Sequence, residues 1–582
     1  MSLNESAAAP RASISRRIAI GAVAIVLSVI VFFLVIAPIL NVFNISFLAE
    51  SDLGLSDERS SRAVVAVYAT LEYFIPLLHT IVLALLVTAL ALIVGVGLAV
   101  VVARTDIPFK PVWDILILIP LFLSPFTLLI AWITLAGPRT GFLNGIWQTL
   151  LAPFLARPGD IVNLNSYTGI VWLLFLISCP LAYLFVIGTL RAMDASLEEA
   201  SRCAGATPLR TIFRITLPVC LPSILSAGLL IFVLTMETYT IPGVIGGTIG
   251  FITLPWKMFE DTTSVPPRLA HAAAAGTMLL FITCAGVWLQ RRITRFSNRY
   301  VTVSGKGIRA RPFNLGRLRP WLVALLAAYV AATVVLPMIA LVLSSFLRFS
   351  AAIPTLNIMT IQHFVQIFTE RTSSAALPNT IQLAVASAVL CVAIGLVISV
   401  IDVRRPRWWT KLLAMVGIMP VAVSGLIFGF GLLWAYIRTP LYGTMWILLL
   451  AYVARFLPYG IVMSRSALIQ VDPSLEESAR MSGAGSLRIL RTITLPLVKP
   501  TLIAILFLVM MQTVKEISAS ILLFTPQSQV LSTLAWQYVQ AGSFQFAAAV
   551  GVVQTVMLIV LILATRFVFG LRLERTLGKD AA

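Results

Sequence analysis

Residues 194–222 read DASLEEASRCAGATPLRTIFRITLPVCLP, and residues 472–500 read DPSLEESARMSGAGSLRILRTITLPLVKP. Laid on each other at an offset of 278, fifteen of the twenty-nine positions are identical. Each copy reads as a helical hairpin. Asp194 and Asp472 suit an N-cap and Pro473 suits a first helical turn. The acidic pairs Glu198-Glu199 and Glu476-Glu477 follow, where a helix N-terminus favours negative charge. Gly205 and Gly483 then permit a turn. A second short helix starts near Thr207-Pro208 or Ser486, carries Arg210 or Arg488, and ends towards Leu217-Pro218 or Leu495-Pro496. The segment is too polar to insert in a membrane and too ordered for a linker. Two equivalent copies imply a twofold-symmetric partner.

The surroundings of both copies are strongly apolar. Hydrophobic residues make up 59% of the 582 and charged residues 11%. The apolar residues form runs of the length a bilayer-crossing helix needs, about 20 residues. The sequence predicts about twelve spans, near 18–42, 77–103, 113–136, 168–190, 219–243, 266–290, 320–346, 378–402, 410–436, 443–465, 500–525 and 543–570. The shorter apolar stretch 143–157 reads as interfacial or re-entrant. A weaker repeat at an offset of 300 pairs Thr80 with Thr380, Gly95 with Gly395, Arg104 with Arg404 and Pro120 with Pro420. The expected architecture is therefore an all-α membrane protein of two pseudosymmetric six-helix halves, duplicated in parallel. An N-terminal tail (1–17) precedes the first half (18–292), which carries the hairpin 194–222. A basic linker (293–318) leads to the second half (319–570) with the hairpin 472–500, and a tail (571–582) follows.

The net charge of +19 follows membrane topology rather than a nucleic-acid surface, because the basic residues sit between apolar spans and form no aromatic-and-basic stripe of the kind that binds nucleic acid. With both termini and both hairpins in the cytoplasm, most of the 42 Lys and Arg fall on the cytoplasmic side. Ser15-Arg16-Arg17 precedes an apolar run too long for an export signal, so a first transmembrane helix is expected there. The five cysteines form no CxxC pair, and His79, His271 and His363 stand far apart, so no metal site is expected. No Gly-x-x-x-x-Gly-Lys-Ser/Thr occurs, hence no P-loop.

Glu199-Ala200-Ser201, Gly205, Ile215, Leu217 and Pro218 match the spacing of the EAA loop of ABC importer permeases. Glu477-Ser478-Ala479, Gly483, Ile493, Leu495 and Pro496 match it equally. The chain resembles the fused, two-half permeases of the iron(III), thiamine and polyamine importer group. The resemblance extends to Val514-Lys515-Glu516-Ile517-Ser518-Ala519 and Glu237-Thr238-Tyr239-Thr240-Ile241-Pro242-Gly243. It implies the type I ABC importer permease fold in a bacterial inner membrane. It also implies two ATPase subunits that hydrolyse ATP, a periplasmic substrate-binding protein, and no enzymatic activity or bound cofactor in this chain. Glu198, Glu199, Ala200, Gly205, Arg210, Leu217, Pro218, Glu476, Glu477, Ala479, Gly483, Arg488, Leu495 and Pro496 are then the ATPase-coupling residues. The expected cargo is iron(III), with thiamine, a polyamine or an aminoalkylphosphonate as alternatives.

Ionisable residues inside spans are costly and therefore informative. Glu237, Tyr239, Lys515 and Glu516 are the candidate path residues. Glu237 and Lys515 correspond at the offset of 278, so an opposite-charge pair across a central cavity is expected, with a structural ion pair or side chains reaching the headgroups as the competing explanations. Arg455 has Ile177 as its repeat partner and reads as structural. An ion-gradient-driven secondary transporter would share the spans and the duplication, but it gives no reason for paired polar hairpins. A membrane enzyme would need a catalytic cluster, which the sequence lacks.

Overall fold

The computed structural model describes residues 25–51, 54–151, 159–194, 196–297, 312–404 and 406–569. The two tails and residues 298–311 of the expected linker lie outside them. Among the described residues, ten helices are long and apolar enough to cross a membrane: Ile25–Ser46, Leu71–Arg104, Tyr167–Ala192, Pro208–Glu237, Leu269–Gln290, Gly316–Ser345, Arg371–Arg404, Met445–Gln470, Leu487–Lys515 and Phe544–Thr565.

The expected spans 113–136 and 410–436 are not single helices. Lys110–Leu121 and Pro125–Ala136 meet at 96°, and Trp408–Ala422 and Gly425–Tyr436 at 113°. In each case a 3-10 turn holding Pro120 or Pro420 leads to an extended residue, Ser124 or Ser424. A proline cannot donate to the preceding turn, so both helices break just after the repeated one. The expected spans 219–243 and 500–525 also shift. Their helices close at Glu237 and Lys515 and reach back into the repeated hairpins.

That continuity has a local cause. Among the described residues, four π-helical turns occur, at Phe32–Ile36, Ile212–Thr216, Ala331–Val335 and Leu490–Thr494. Each is followed at its second residue by proline: Pro38, Pro218, Pro337 and Pro496. The missing N–H and the ring clash forbid an ordinary α turn there, and widening to the i→i+5 pattern lets the helix continue. Leu-Pro in the repeat therefore marks a π turn within a span, not the end of a helix.

The described chain packs as two units that cut across the two sequence halves. One contains residues to Asn44, Leu377–Gln529 and those from Val560 onward; the other contains Ile45–Ala376 and Val530–Ile559. In the first, the N-terminal helix packs on helices of the second half: the Tyr436 hydroxyl donates to the Phe33 carbonyl at 2.9 Å. There a Cβ on Gly431 would lie 2.4 Å from the Pro38 carbonyl oxygen. In the second unit, helix Leu336–Ser345, from the second sequence half, packs on Pro125–Ala136. The first helix of each half thus joins the helices of the other half.

Within each unit the same small-residue crossing recurs. A Cβ on Gly395 would come within 2.5 Å of the Gly460 backbone, and one on Gly95 within 2.6 Å of the Ala182 Cβ. Ala182 and Gly460 correspond at the offset of 278, so both long second spans approach their fourth span at the repeated glycine. Of the stretch 143–157, Phe142–Leu151 forms one short helix and residues 152–158 lie outside the described set. Asn144 holds its loop by bonds to Gly137 and Val162.

Candidate coupling hairpins

The two repeated segments fold alike. Helix Ser196–Cys203 is preceded by Asp194, whose carboxylate accepts the Ser196 amide at 2.9 Å. Helix Pro473–Met481 is capped by Asp472, which accepts the Ser474 amide at 2.9 Å. Hydrogen bonds from Ser474 hold the Asp472 carboxyl below its ordinary range. Both helices end in a Schellman-type turn: Ala206 N–H donates to Ser201 O at 3.1 Å, and Ala484 N–H to Ala479 O at 3.0 Å. The turn requires a left-handed residue, and Gly205 and Gly483 supply it with φ of 80° and 82°. The second arms, Pro208–Thr211 and Ser486–Ile489, run through the π turns into the following spans.

The acidic pair splits in function within each hairpin. Glu198 is fully buried: Arg104 Nε lies 2.9 Å from its Oε1, and the Thr216 hydroxyl donates to the same oxygen at 2.8 Å. Glu476 repeats this with Arg404 at 2.9 Å and Thr494 at 3.0 Å, and adds Arg480 at 3.5 Å. The second glutamates face outward instead, Glu199 half-buried and Glu477 exposed. Ala200, Gly205, Arg210 and Pro218 are exposed, as are Gly483, Arg488 and Pro496; Ala479, Leu217 and Leu495 are half-buried. Glu198 and Glu476 are therefore internal anchors that fix each hairpin to the end of a long second span, not docking contacts. Burying two charges is tolerable only when each is paired and hydrogen-bonded. Reading the two offsets separately missed the arginines as site residues. The signal was present, since Arg104 and Arg404 are identical in the weaker repeat.

The outward surface of each hairpin combines charge with exposed apolar side chains. These are Leu197, Leu209 and Phe213 beside Arg210 on the first, and Leu475, Met481 and Leu487 beside Arg488 on the second. Clustered exposed apolar residues of this kind meet a protein or a membrane surface.

Of the ionisable path candidates, Glu237 and Lys515 end the helices Leu217–Glu237 and Leu495–Lys515, one in each unit. Arg455 pairs with Glu516 at 3.0 Å, in line with the structural reading of Arg455. Glu516 also accepts the Ala519 amide at 2.9 Å. A Cβ on Gly425 would sit 2.5 Å from the Arg455 guanidinium, so the pair also fixes one edge of the 113° break. Tyr239 is 1% exposed, its ring 5.7 Å from Phe259 and 6.1 Å from Trp536. This aromatic packing encloses it rather than presenting it to a path. Among the described residues, no group of three or more His, Cys, Asp or Glu is placed to hold a metal ion.

Comparison with known proteins gives a consistent picture. The family model described as the inner membrane component of binding-protein-dependent transport systems matches residues 88–296 and again 391–576. The ferric transport system permease protein FbpB of Actinobacillus pleuropneumoniae is 26% identical over 495 residues, covering 83% of this chain and 70% of that protein. The putative ferric transport system permease protein FbpB 1 of Haemophilus influenzae is 26% identical over 509 residues, covering 86% and 77%. The putrescine transport system permease protein PotI of Escherichia coli is 40% identical over 93 residues, covering 16% and 32%.

Proposed function

Since the chain belongs to the family of binding-protein-dependent transport system inner membrane components, we propose that it is the fused transmembrane subunit of an ATP-driven iron(III) importer. Each repeated hairpin docks one ATPase subunit on the cytoplasmic face, and both termini lie on that face. A periplasmic binding protein delivers the cargo to the opposite side. ATP stays on the partner subunits, and closing of the ATPase pair moves the hairpins, which carry the attached spans with them. The observation that supports this reading is the duplicated hairpin, continuous with a span on one side and ion-paired to another span through Glu198 or Glu476. A hairpin tied to two spans transmits a push to both.

The cargo assignment rests on the two ferric relatives, which align over more than four-fifths of the chain, whereas the putrescine relative aligns over 16%. Glu237 and Lys515, at equivalent span ends, line the path in this reading, while Glu516 is engaged with Arg455. The test is uptake into proteoliposomes holding the chain, its ATPase and the binding protein. ATP-dependent entry of iron(III) from the loaded binding protein is expected. Entry of putrescine, thiamine or an aminoalkylphosphonate instead would reassign the cargo and leave the machinery intact.

A further inference from the structure

The C-terminal end of the basic linker is stitched to the first hairpin's anchor. Thr105 and Phe313 form a parallel bridge, with Phe313 N–H donating to Arg104 O at 2.7 Å and Asp106 N–H donating to Phe313 O at 3.2 Å. The Asp106 carboxylate accepts the Leu315 amide at 3.0 Å. The Phe313 ring is 6% exposed, and the Arg202 guanidinium lies over it, 4.3 Å from its centroid. Arg202 belongs to the first hairpin helix, and Arg104 holds that helix through Glu198. The linker's end thus touches both the hairpin and the residue that anchors it. In the second hairpin, Arg480 stands at the position of Arg202 and turns to Glu476 instead.

We propose that Phe313 and Asp106 are positioning residues that brace the first hairpin, so that the linker joining the two halves pre-organises an ATPase-docking site. The proposal rests on the docking role proposed above. An ATPase subunit then meets a pre-organised site at the first hairpin, and pre-organisation strengthens binding by lowering its ordering cost.

The test uses equivalent exposed positions on the two hairpins. Cys203 is native and exposed, and its repeat counterpart Met481 is exposed too. A spin label is placed on Cys203 with Cys284→Ser, or on Met481→Cys with Cys203→Ser and Cys284→Ser, in the full chain in lipid nanodiscs with and without its ATPase. Phe313→Pro removes the donor to Arg104 and the ring. Asp106→Asn weakens the bond to Leu315 and serves as a milder variant. Both are expected to raise label mobility at Cys203 and to weaken ATPase protection there by roughly two- to fivefold, the scale of one lost cation–π contact, with position 481 unchanged. Equal changes at both positions, or none at Cys203 in either variant, would overturn the brace. Absence of ATPase protection at both positions in the parent protein would instead overturn the docking role, and mobility at Cys203 without ATPase would still report the brace.

Discussion

Glu198 and Glu476 are the residues on which each hairpin turns, and their differing partners predict unequal sensitivity. Removing Arg104 leaves a buried Glu198 with Thr216 alone of the two partners described, whereas removing Arg404 leaves Arg480 within 3.5 Å of Glu476. Stranding one half of a buried ion pair costs about 3–5 kcal/mol. Arg104→Ala should therefore raise hydrogen exchange across residues 194–222 strongly, and Arg404→Ala should raise it less across 472–500. Equal effects would show that the second arginine does not substitute. Gly205 and Gly483 are constrained by backbone conformation, not by space, since nothing lies within 4 Å of a Cβ at either. Asparagine, which tolerates left-handed backbone, should be the mildest replacement; alanine should cost roughly 1–2 kcal/mol and valine more. Local exchange or thermal unfolding of the two series would reveal that order, and a reversed order would mean that crowding decides instead.

Among the elements, the hairpin Leu48–Ser51 and Gly54–Arg59 shows how a loop is tied to a span. Glu50 accepts the amides of Ala270 and His271 at 2.7 and 3.1 Å and meets the His271 ring at 2.8 Å. A carboxylate at the start of helix Leu269–Ser297 satisfies otherwise orphaned amides. Burial pushes the Glu50 carboxyl up, but the bonds from His271 and Ala270 outweigh it and leave the group below its ordinary 4.5. A lowered folded value means that Glu50 stabilises the attachment fully above its ordinary value, and that this is lost as pH falls through the lowered one. Exchange at residues 48–59 should thus stay slow at neutral pH and rise only in acid. Glu50→Gln should be fast throughout; unchanged exchange in that variant would rule out the tether. The π turns belong to this scale too. Leu217-Pro218 and Leu495-Pro496 read in sequence as helix ends because proline usually is one, and a single widened turn is enough to carry a helix past it.

For the whole molecule, the repeat made the two halves, their spans and both hairpins legible. Periodic apolar runs of membrane length and fifteen identities in one segment leave little freedom. Three things escaped the sequence. The breaks after Pro120 and Pro420 lie inside continuous apolar runs, where hydropathy cannot distinguish a bent pair from a span. The exchange of first helices between halves depends on packing at Pro38 and Gly431, far apart in the chain. The anchor residues Arg104 and Glu198 sit in blocks with different offsets, so neither block alone displays their pairing. The path residues carry one prediction at this scale. Glu237→Lys and Lys515→Glu should each impair uptake on the proposed path while leaving ATPase binding unchanged. Normal uptake in either variant would remove that residue from the path.

ATP-driven import by this chain requires that each of the two hairpins hold an ATPase subunit. The direct measurement is the stoichiometry and ATPase activity of the complex purified in lipid, for the parent chain and for Gly205→Val and Gly483→Val singly and together. Two ATPase subunits on the parent, with each single variant releasing or uncoupling its own and the double variant both, is the predicted result. A chain that binds no ATPase and moves solute down an ion gradient alone would contradict it and favour a secondary transporter.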